Sequence, residues 1–400
     1  MVRGLKALRR GFSGLGLAGS VAAAAVAIPV IHSQAAPHLQ AATLTVAAGQ
    51  QVRAPQSRAP QRTQPAAQPA RPSARPTPVP AQVQLPLTER MARSALEARI
   101  QELGRSFPGE VGIAVRDIET GYVASWNGTR LFPQQSVSKF WVSLTTLDAI
   151  DRGRLSLDRR VTLTSEDLTL FSQPIAQEVG TGSFTTTIRD LMTRAITRSD
   201  NTANDFLLWQ AGGPDAVRAF LSRHGIEGVR FGPGERLLQS QIAGVRWNQA
   251  LSRGRAFYTA RDSVPASTRR RLFENYIEDP IDGASPLGLT QGLAMLQRGE
   301  LLSPASTSHM IATLRQTRTG PNRLPGGLAP GWTIGHKTGT GQELNGVQAG
   351  YNDIGIITSP DGRNYALAVM MGRVSVPLGV RMTLMNNVTR AAIQYHDTRR

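Results

Sequence analysis

The sequence predicts an α+β protein in which an antiparallel sheet, flanked by helices and built from the N- and C-terminal segments of the folded part, adjoins an all-helical lobe. Three observations support this prediction. Apolar residues alternate at Val111, Ile113 and Val115, and a second strand over residues 122–126 precedes an Asn-Gly turn, as in a hairpin. Strand-like segments return near the C-terminus. Between the N-terminal and the C-terminal strand-like segments, residues 151–310 have mostly helical periodicity.

The periodicity also places the individual elements. Leu96, Ile100 and Leu103 recur at helical spacing, so we expect a helix before the first strand, and another is expected to begin near Ser136. The C-terminal strands are predicted over 332–336, 354–358 and 365–371, and a last helix over 378–395. A cleft between the two lobes is the expected place for a small-molecule site.

The N-terminus resembles an export signal. Residues 1–35 combine a basic start, a stretch of small and apolar residues and a Ser-Gln-Ala-Ala sequence, the pattern of a cleavable signal peptide. Arg9-Arg10 also fits a twin-arginine signal. We therefore expect a periplasmic or secreted protein. A lasting membrane anchor is the less favoured alternative, because the stretch is rich in Gly and Ala.

The rest of the chain divides by composition. Residues 36–87 are rich in Pro, Ala, Gln and Arg, a composition with too little apolar surface to fold, and we expect a disordered linker. The folded domain is predicted over 88–400. Its α/β lobe is predicted to comprise 88–150 and 311–400, and its helical lobe 151–310.

The charge distribution argues against nucleic-acid binding. The chain has 45 Lys plus Arg and 28 Asp plus Glu, a net charge of +17. About half of the excess lies before residue 91, and no basic helix interleaved with aromatic residues follows. There is no Cys, and the six His residues show no ligand spacing, so neither a metal nor a cofactor is expected. The excess positive charge predicts a mild attraction to anionic lipid or cell-wall polymer.

The most informative feature is the use of lysine. Only three lysines occur, Lys6, Lys139 and Lys337, whereas every other basic residue is arginine. Lysine can lose its proton when buried, which arginine cannot do. Lys139 follows Ser136 by three residues, and one turn of helix would place the hydroxyl and the amine on the same face. A serine becomes a good nucleophile only when a neighbouring base takes its proton.

Two further motifs complete a known signature. Ser199-Asp200-Asn201 and Lys337-Thr338-Gly339 follow Ser136-x-x-Lys139 in the order found in class A β-lactamases and penicillin-binding proteins. With Gly-Gly-Pro at 212–214, residues 95–397 resemble a class A β-lactamase. The resemblance implies that Ser136 is the acylated nucleophile and Lys139 its proton-relay partner, and that Ser199 passes a proton to the leaving nitrogen.

The resemblance also implies the substrate contacts. Asn201 would hold the substrate amide, Lys337 and Thr338 its carboxylate, and the backbone N–H groups of Ser136 and Thr340 the oxyanion. Gly339 would be a further substrate-binding residue. Phe171 resembles the aromatic residue that flanks the substrate in this family, although an ordinary core phenylalanine is an equal alternative. Glu235 would be the deacylation base, with Gln239 in the place of the family's asparagine. A solvated loop carboxylate is the alternative for Glu235.

The chain departs from the family pattern around this loop. Asp282 resembles the acid that closes the loop, but residues 240–281 form a longer connection than expected, which could alter the geometry or cover the cleft. Pro233 stands roughly where an arginine partner is usual, although Arg230 and Arg236 are close. Tyr351 stands where some members carry a substrate-anchoring arginine. These departures leave the substrate range open.

Three functions fit the sequence. The first is a serine β-lactamase that hydrolyses cyclic amides and gives antibiotic resistance. The second is a D-alanyl-D-alanine carboxypeptidase acting on cell-wall peptides, and the third is a non-catalytic cell-wall sensor. Persistence of a penicillin adduct for hours would favour the peptidase. The expected partner is a β-lactam or a D-Ala-D-Ala peptide, and the expected state is a monomer.

Overall fold

The computed structural model describes residues 85–399, so the predictions made for residues 1–84 lie outside it. The helices are α1 Leu87–Ser106, α2 Lys139–Asp151, α3 Ala176–Val179, α4 Ile188–Thr197, α5 Asn201–Gln210, α6 Gly213–Arg223, α7 Glu235–Ala243, α8 Ala256–Ser263, α9 Ala266–Glu278, α10 Pro286–Gln297, α11 Pro304–Arg315 and α12 Leu378–Thr398. The strands are β1 Val111–Asp117, β2 Val123–Trp126, β3 Phe132–Pro133, β4 Arg160–Thr164, β5 Ser183–Thr187, β6 Gly283–Ala284, β7 Thr333–Thr340, β8 Glu343–Leu344, β9 Val347–Ala349, β10 Tyr351–Thr358, β11 Asn364–Met371 and β12 Arg373–Val374.

The central sheet joins the two ends of the described chain. Its five strands run in the order β2-β1-β11-β10-β7, and every neighbouring pair is antiparallel. Successive side chains of a strand point to opposite faces. Accordingly, Ala366 and Ala368 of β11 belong to the apolar core on one face, and Leu367 and Val369 to the core on the other. The sheet is therefore buried on both sides.

Different helices cover the two faces. Helices α1 and α12 pack against each other on one face, where Leu96, Ile100 and Val388 contribute to the core. Helix α10 covers the other face, and its core is continuous with that of the helical lobe around the fully buried Trp141 and Leu144 of α2. Helix α2 thus lies at the junction of sheet and lobe, which is where its N-terminus carries the candidate site.

The predicted α+β class with an antiparallel sheet is confirmed, and two details differ. The helical lobe also carries a two-stranded ladder, β4–β5, in which only Val161 and Leu163 of β4 are buried. Two inward positions were too short a pattern to identify. Helix α2 begins at Lys139 rather than near Ser136, because a 3₁₀ turn over Gln135–Ser138 precedes it and Gln135 has a left-handed φ of 54°. The division into lobes at residues 150 and 310 stays a prediction.

Within residues 85–399, no helix is both long enough and apolar enough to cross a membrane. The same residues contain no group of three or more His, Asp or Glu side chains arranged to hold a metal ion.

Candidate active site

A serine, a lysine and a glutamate form a continuous hydrogen-bonded chain at the start of α2. The Lys139 Nζ donates to Ser136 Oγ at 2.8 Å and also to Glu235 Oε1. The lysine side chain is fully buried and that of Glu235 is 5% exposed, so the ion pair is almost excluded from water. Ser136 is carried by the 3₁₀ turn and lies on the cleft side of the pair. The alternative of a solvated loop carboxylate at Glu235 is wrong.

The second lysine reaches the second serine. The Lys337 Nζ donates to Ser199 Oγ at 3.0 Å and to the carbonyl of Thr338 at 2.9 Å. Lys337 is fully buried on β7, and burial, reinforced by the positive charge of Lys139, lowers its pKa well below the usual value. Ser199 has a left-handed φ of 56° just before α5, which Asp200 caps by accepting from the backbone N–H of Ala203.

Strand β7 approaches the serine turn very closely. A Cβ built on Gly339 would lie 2.5 Å from the carbonyl oxygen of Gln134, a distance that no side chain tolerates. The glycine therefore permits the contact between β7 and the turn that precedes α2. On either side of it, Thr338 Oγ1 shares a 2.7 Å hydrogen bond with Thr319, and Thr340 Oγ1 accepts from Arg323 Nη2 at 2.7 Å.

Arg323 supplies a guanidinium group beside Tyr351. It is buried, donates to the carbonyls of Gly339 and Asn352 at 3.0 and 2.7 Å, and lies 3.8 Å from the centre of the Tyr351 ring. A cation held over an aromatic face at this distance is stabilised by the ring quadrupole. A guanidinium group from the segment before β7 therefore lies beside position 351, and no local motif signals it.

Asn201 presents an unused acceptor to the cleft. Its Nδ2 donates to the carbonyl of Leu170 at 2.8 Å, which fixes the amide orientation. Its Oδ1 is buried and accepts no hydrogen bond from residues 85–399, although Asn201 lines the same cleft as Ser136. Buried acceptors without partners are costly, so a ligand N–H would be a favourable partner here.

The cleft itself has a volume of about 340 Å³. Phe171 lines it and is 38% exposed, so the alternative of an ordinary core phenylalanine is wrong. Phe171 has a left-handed φ of 59° and packs edge-on against Phe257, with ring centroids 5.2 Å apart. The other residues that line the cleft include Ser136, Asn201, Glu235, Gln239 and Thr340.

The base of the cleft carries a second buried carboxyl group behind Glu235. Asp205 Oδ1 accepts from the backbone N–H of Glu235 at 2.8 Å and fixes the start of α7. Burial, with the nearby charge of Glu235, raises the pKa of Asp205 to about 6. Arg236 lies 3.7 Å from the same carboxylate and does not reach Asp282.

Residues 240–281 enter the site through Tyr276 of α9. The Tyr276 hydroxyl accepts from Gln135 Nε2 at 2.7 Å and donates to Asp282 Oδ1 at 2.9 Å. Gln135 Oε1 in turn accepts from Gln239 Nε2 at 2.9 Å, and this same nitrogen donates to Glu235 Oε2 at 3.2 Å. A buried chain of hydrogen bonds therefore connects the long connection to the carboxylate of Glu235.

Asp282 closes the loop without an arginine. Its Oδ2 accepts from the backbone N–H of Gln135 at 2.9 Å, and burial raises its pKa to about 6. Arg230 pairs instead with Asp279, at 2.5 Å between Nη1 and Oδ1. The tyrosine hydroxyl takes the place of the expected arginine, and the long connection is what brings it there.

Of the site residues predicted from the motifs, six line this cleft: Ser136, Phe171, Asn201, Glu235, Gln239 and Thr340. Lys139 joins two of them through its hydrogen bonds, and Lys337 and Ser199 form a second pair at the strand whose Gly339 contacts the serine turn. Others were missed, among them Gln135, Tyr276 and Arg323, and also Tyr258 and Arg261, which line the cleft from α8. Each belongs to a residue type that is common on surfaces, and their partners are distant in sequence, as with the 141 positions between Gln135 and Tyr276.

Comparisons with known proteins agree with this geometry. The profile described as the β-lactamase enzyme family matches residues 95–396. β-Lactamase VEB-1 of Pseudomonas aeruginosa is 26% identical over 302 residues, which is 75% of this chain and 90% of that protein. A β-lactamase structure from Chitinophaga pinensis has a TM-score of 0.62 at 26% identity, over 74% of this chain and 97% of its own.

A structure of an ancestral class A β-lactamase has a TM-score of 0.59 at 30% identity, over 74% of this chain and 98% of its own. The match of the family profile to most of the described residues shows the family. The chain belongs to the β-lactamase enzyme family, and the class A resemblance predicted from the motifs is confirmed.

Proposed function

We propose that this protein hydrolyses β-lactams through an acyl-enzyme formed on Ser136. The observation that carries the proposal is the buried chain from Glu235 through Lys139 to the Ser136 hydroxyl, which supplies a route for the serine proton. The names of the relatives, which are β-lactamases, support the same substrate class.

The acylation step begins with proton movement along this chain. Glu235 takes a proton from the Lys139 ammonium, and the neutral amine then takes the proton of Ser136 as its oxygen attacks the β-lactam carbonyl. The developing oxyanion is held by the backbone N–H groups of Ser136 and Thr340, donors of a kind worth about 3 kcal/mol each. The Lys139–Glu235 ion pair is almost excluded from water, so the attraction between these two side chains is stronger than it would be in solution.

Cleavage of the amide bond requires a proton on the leaving nitrogen. The Ser199 hydroxyl donates this proton. The Lys337 ammonium then reprotonates Ser199 directly, because its Nζ lies 3.0 Å from Ser199 Oγ. The substrate carboxylate lies against Lys337, Thr338 and Gly339. The unused Oδ1 of Asn201 accepts the N–H of the acyl amide.

Before deacylation, the proton that Glu235 took from Lys139 passes through solvent to the neutral Lys337 amine, so that both groups regain their starting charges. Deacylation then uses Glu235 as the base. Its carboxylate removes a proton from a water molecule that attacks the ester carbonyl, and this proton passes through Lys139 to the departing Ser136 oxygen. Gln239 orients the Glu235 carboxylate through the 3.2 Å contact of its Nε2. The Gln239 amide is itself fixed, because Gln342 Nε2 donates to its Oε1 at 2.9 Å. The expected product is the ring-opened acid.

The test is turnover of a chromogenic cephalosporin. The unsubstituted protein should hydrolyse it, and Ser136→Ala should lose essentially all turnover. Ser138→Ala is the matched control, since that hydroxyl donates to the carbonyl of Gln135 rather than facing Lys139, and it should retain most activity. If Ser136→Ala still hydrolyses the cephalosporin, the nucleophile is a different group.

A penicillin adduct that persists for hours, together with release of D-alanine from a D-Ala-D-Ala peptide, would instead identify the carboxypeptidase alternative.

We further propose that the protein is an exported, monomeric enzyme whose N-terminal signal is removed. N-terminal sequencing of the protein from the periplasm or medium, and its mass by light scattering, would test these two points.

A further inference from the structure

We propose that α8 forms a subsite for β-lactams whose acyl side chain carries both an aromatic ring and a carboxylate, recognised by Tyr258 and Arg261. This inference rests on the proposed function and extends it to a substrate class. The helix belongs to the long connection between Gln239 and Asp282, and both residues line the same cleft as Ser136.

The aromatic part of the subsite is already assembled. Tyr258 is 36% exposed, and its ring centroid lies 6.1 Å from that of Phe171 and 6.0 Å from that of the buried Phe257. Phe257 packs beneath them as part of an apolar cluster with Leu170 and Leu251. Two partly exposed rings held by a buried third present apolar surface to a ligand at low entropic cost, and aromatic pairs prefer such tilted arrangements.

The charged part is the guanidinium of Arg261. Its side chain is 27% exposed and lies 5.3 Å from the Tyr258 ring centroid. Its nearest carboxylate is Asp262, at 3.1 Å, which also receives Arg269 at 3.4 Å. Two cations share one anion, so the three groups sum to +2 − 1 = +1. The cleft wall therefore keeps an excess positive charge.

Other charges of the cleft leave this excess in place. Glu235 is paired with Lys139, and the remaining acidic lining residue, Glu343, is exposed on β8 within electrostatic range of Arg381. Solvation and this arginine weaken its hold on Arg261.

The proposed function gives the substrate a cation at each end. Lys337 would take the carboxylate next to the β-lactam ring, and the acyl group would extend toward Asn201, Phe171, Tyr258 and Arg261, which line the cleft. A dianionic penicillin such as carbenicillin matches both cations. Benzylpenicillin differs from it only in lacking the side-chain carboxylate, so the pair isolates the contribution of Arg261.

The experiment measures dissociation constants of the two penicillins in a Ser136→Ala background, where no acylation interferes. Arg261→Gln should weaken carbenicillin binding about tenfold, the worth of one hydrogen bond to a charged group, and change benzylpenicillin binding less than about twofold. Arg271→Gln removes an exposed positive charge from α9 and is the matched control; it should change neither. Tyr258→Leu should weaken both penicillins alike, because both carry the phenyl ring.

An unchanged ratio of the two affinities in Arg261→Gln would overturn the proposal, as would an equal loss in Arg271→Gln, which would indicate only a long-range field. Failure of both penicillins to bind would also overturn it. Absence of hydrolysis by the unsubstituted protein, with the affinity ratio still dependent on Arg261, would refute the proposed function alone.

Discussion

Replacing Tyr276 by phenylalanine tests how the long connection supports the site. The ring remains, but the hydroxyl that joins Gln135 Nε2 to Asp282 Oδ1 is lost. Gln135 keeps a weaker contact with the carbonyl of Ala349 at 3.3 Å, whereas Asp282 Oδ1 loses its side-chain donor. A buried polar group left without a partner costs about 1–3 kcal/mol, so we expect a loss of about 1–3 kcal/mol in the free energy of unfolding.

Denaturant unfolding with an unchanged m-value measures this loss. Tyr258→Phe is the control from the same connection, because that ring lies at the cleft surface, and its effect should stay within about 0.5 kcal/mol. A difference of less than about 0.5 kcal/mol between the two variants would refute the claim that the Tyr276 hydroxyl holds the network together. The variant should also deacylate more slowly than the unsubstituted protein, since loss of the Tyr276 hydroxyl holds Gln135 less firmly against the Gln239 amide that contacts Glu235.

Three further predictions concern the carboxyl groups and the close strand contact. Because the pKa of Asp282 is raised from 3.8 to about 6, the folded state binds more protons between these values and loses stability as the pH rises. The free energy of unfolding of Asp282→Asn, relative to that of the unsubstituted protein, should therefore increase by up to about 3 kcal/mol between pH 4 and 6. A difference that does not depend on pH would contradict this. Glu235→Gln leaves a buried ammonium unpaired and should cost about 3–5 kcal/mol by denaturant unfolding; a near-neutral effect would argue against the ion pair. Gly339→Ala should cost about 1–3 kcal/mol and reduce labelling by fluorescent penicillin, whereas Gly182→Ala, which meets no atom within 4 Å, should do neither.

The parts of the fold that the sequence predicted are those with long, regular patterns. The alternation of β1, the apolar runs of β10 and β11 and the periodicity of α1 are local properties, so one stretch of sequence is enough to identify each. The β4–β5 ladder was missed because it has two buried positions on its first strand and neighbours rich in polar residues. The start of α2 was misplaced because residues Gln135–Ser138 form a 3₁₀ turn, which leads directly into the α-helix and is not distinguished from it by the sequence pattern.

The same distinction applies to the site. Ser136, Lys139, Ser199 and Lys337 were found because their spacing is a signature and lysine is rare in this chain. Tyr276 and Arg323 act through partners on other elements, which only tertiary packing brings close. The sequence could therefore identify the reacting groups, but not the residues that hold them or that define the side-chain subsite.

The central claim is that Ser136 becomes acylated and that Glu235 releases the product. The most direct measurement is the time course of the intact mass after mixing with benzylpenicillin, followed by peptide mapping. The account predicts one penicillin adduct on the peptide that contains Ser136. The adduct should be short-lived in the unsubstituted protein, whereas in Glu235→Gln it should form more slowly, because Lys139 then loses its proton only to solvent, and persist once formed. An adduct on another peptide, or equal lifetimes in the two proteins, would contradict it.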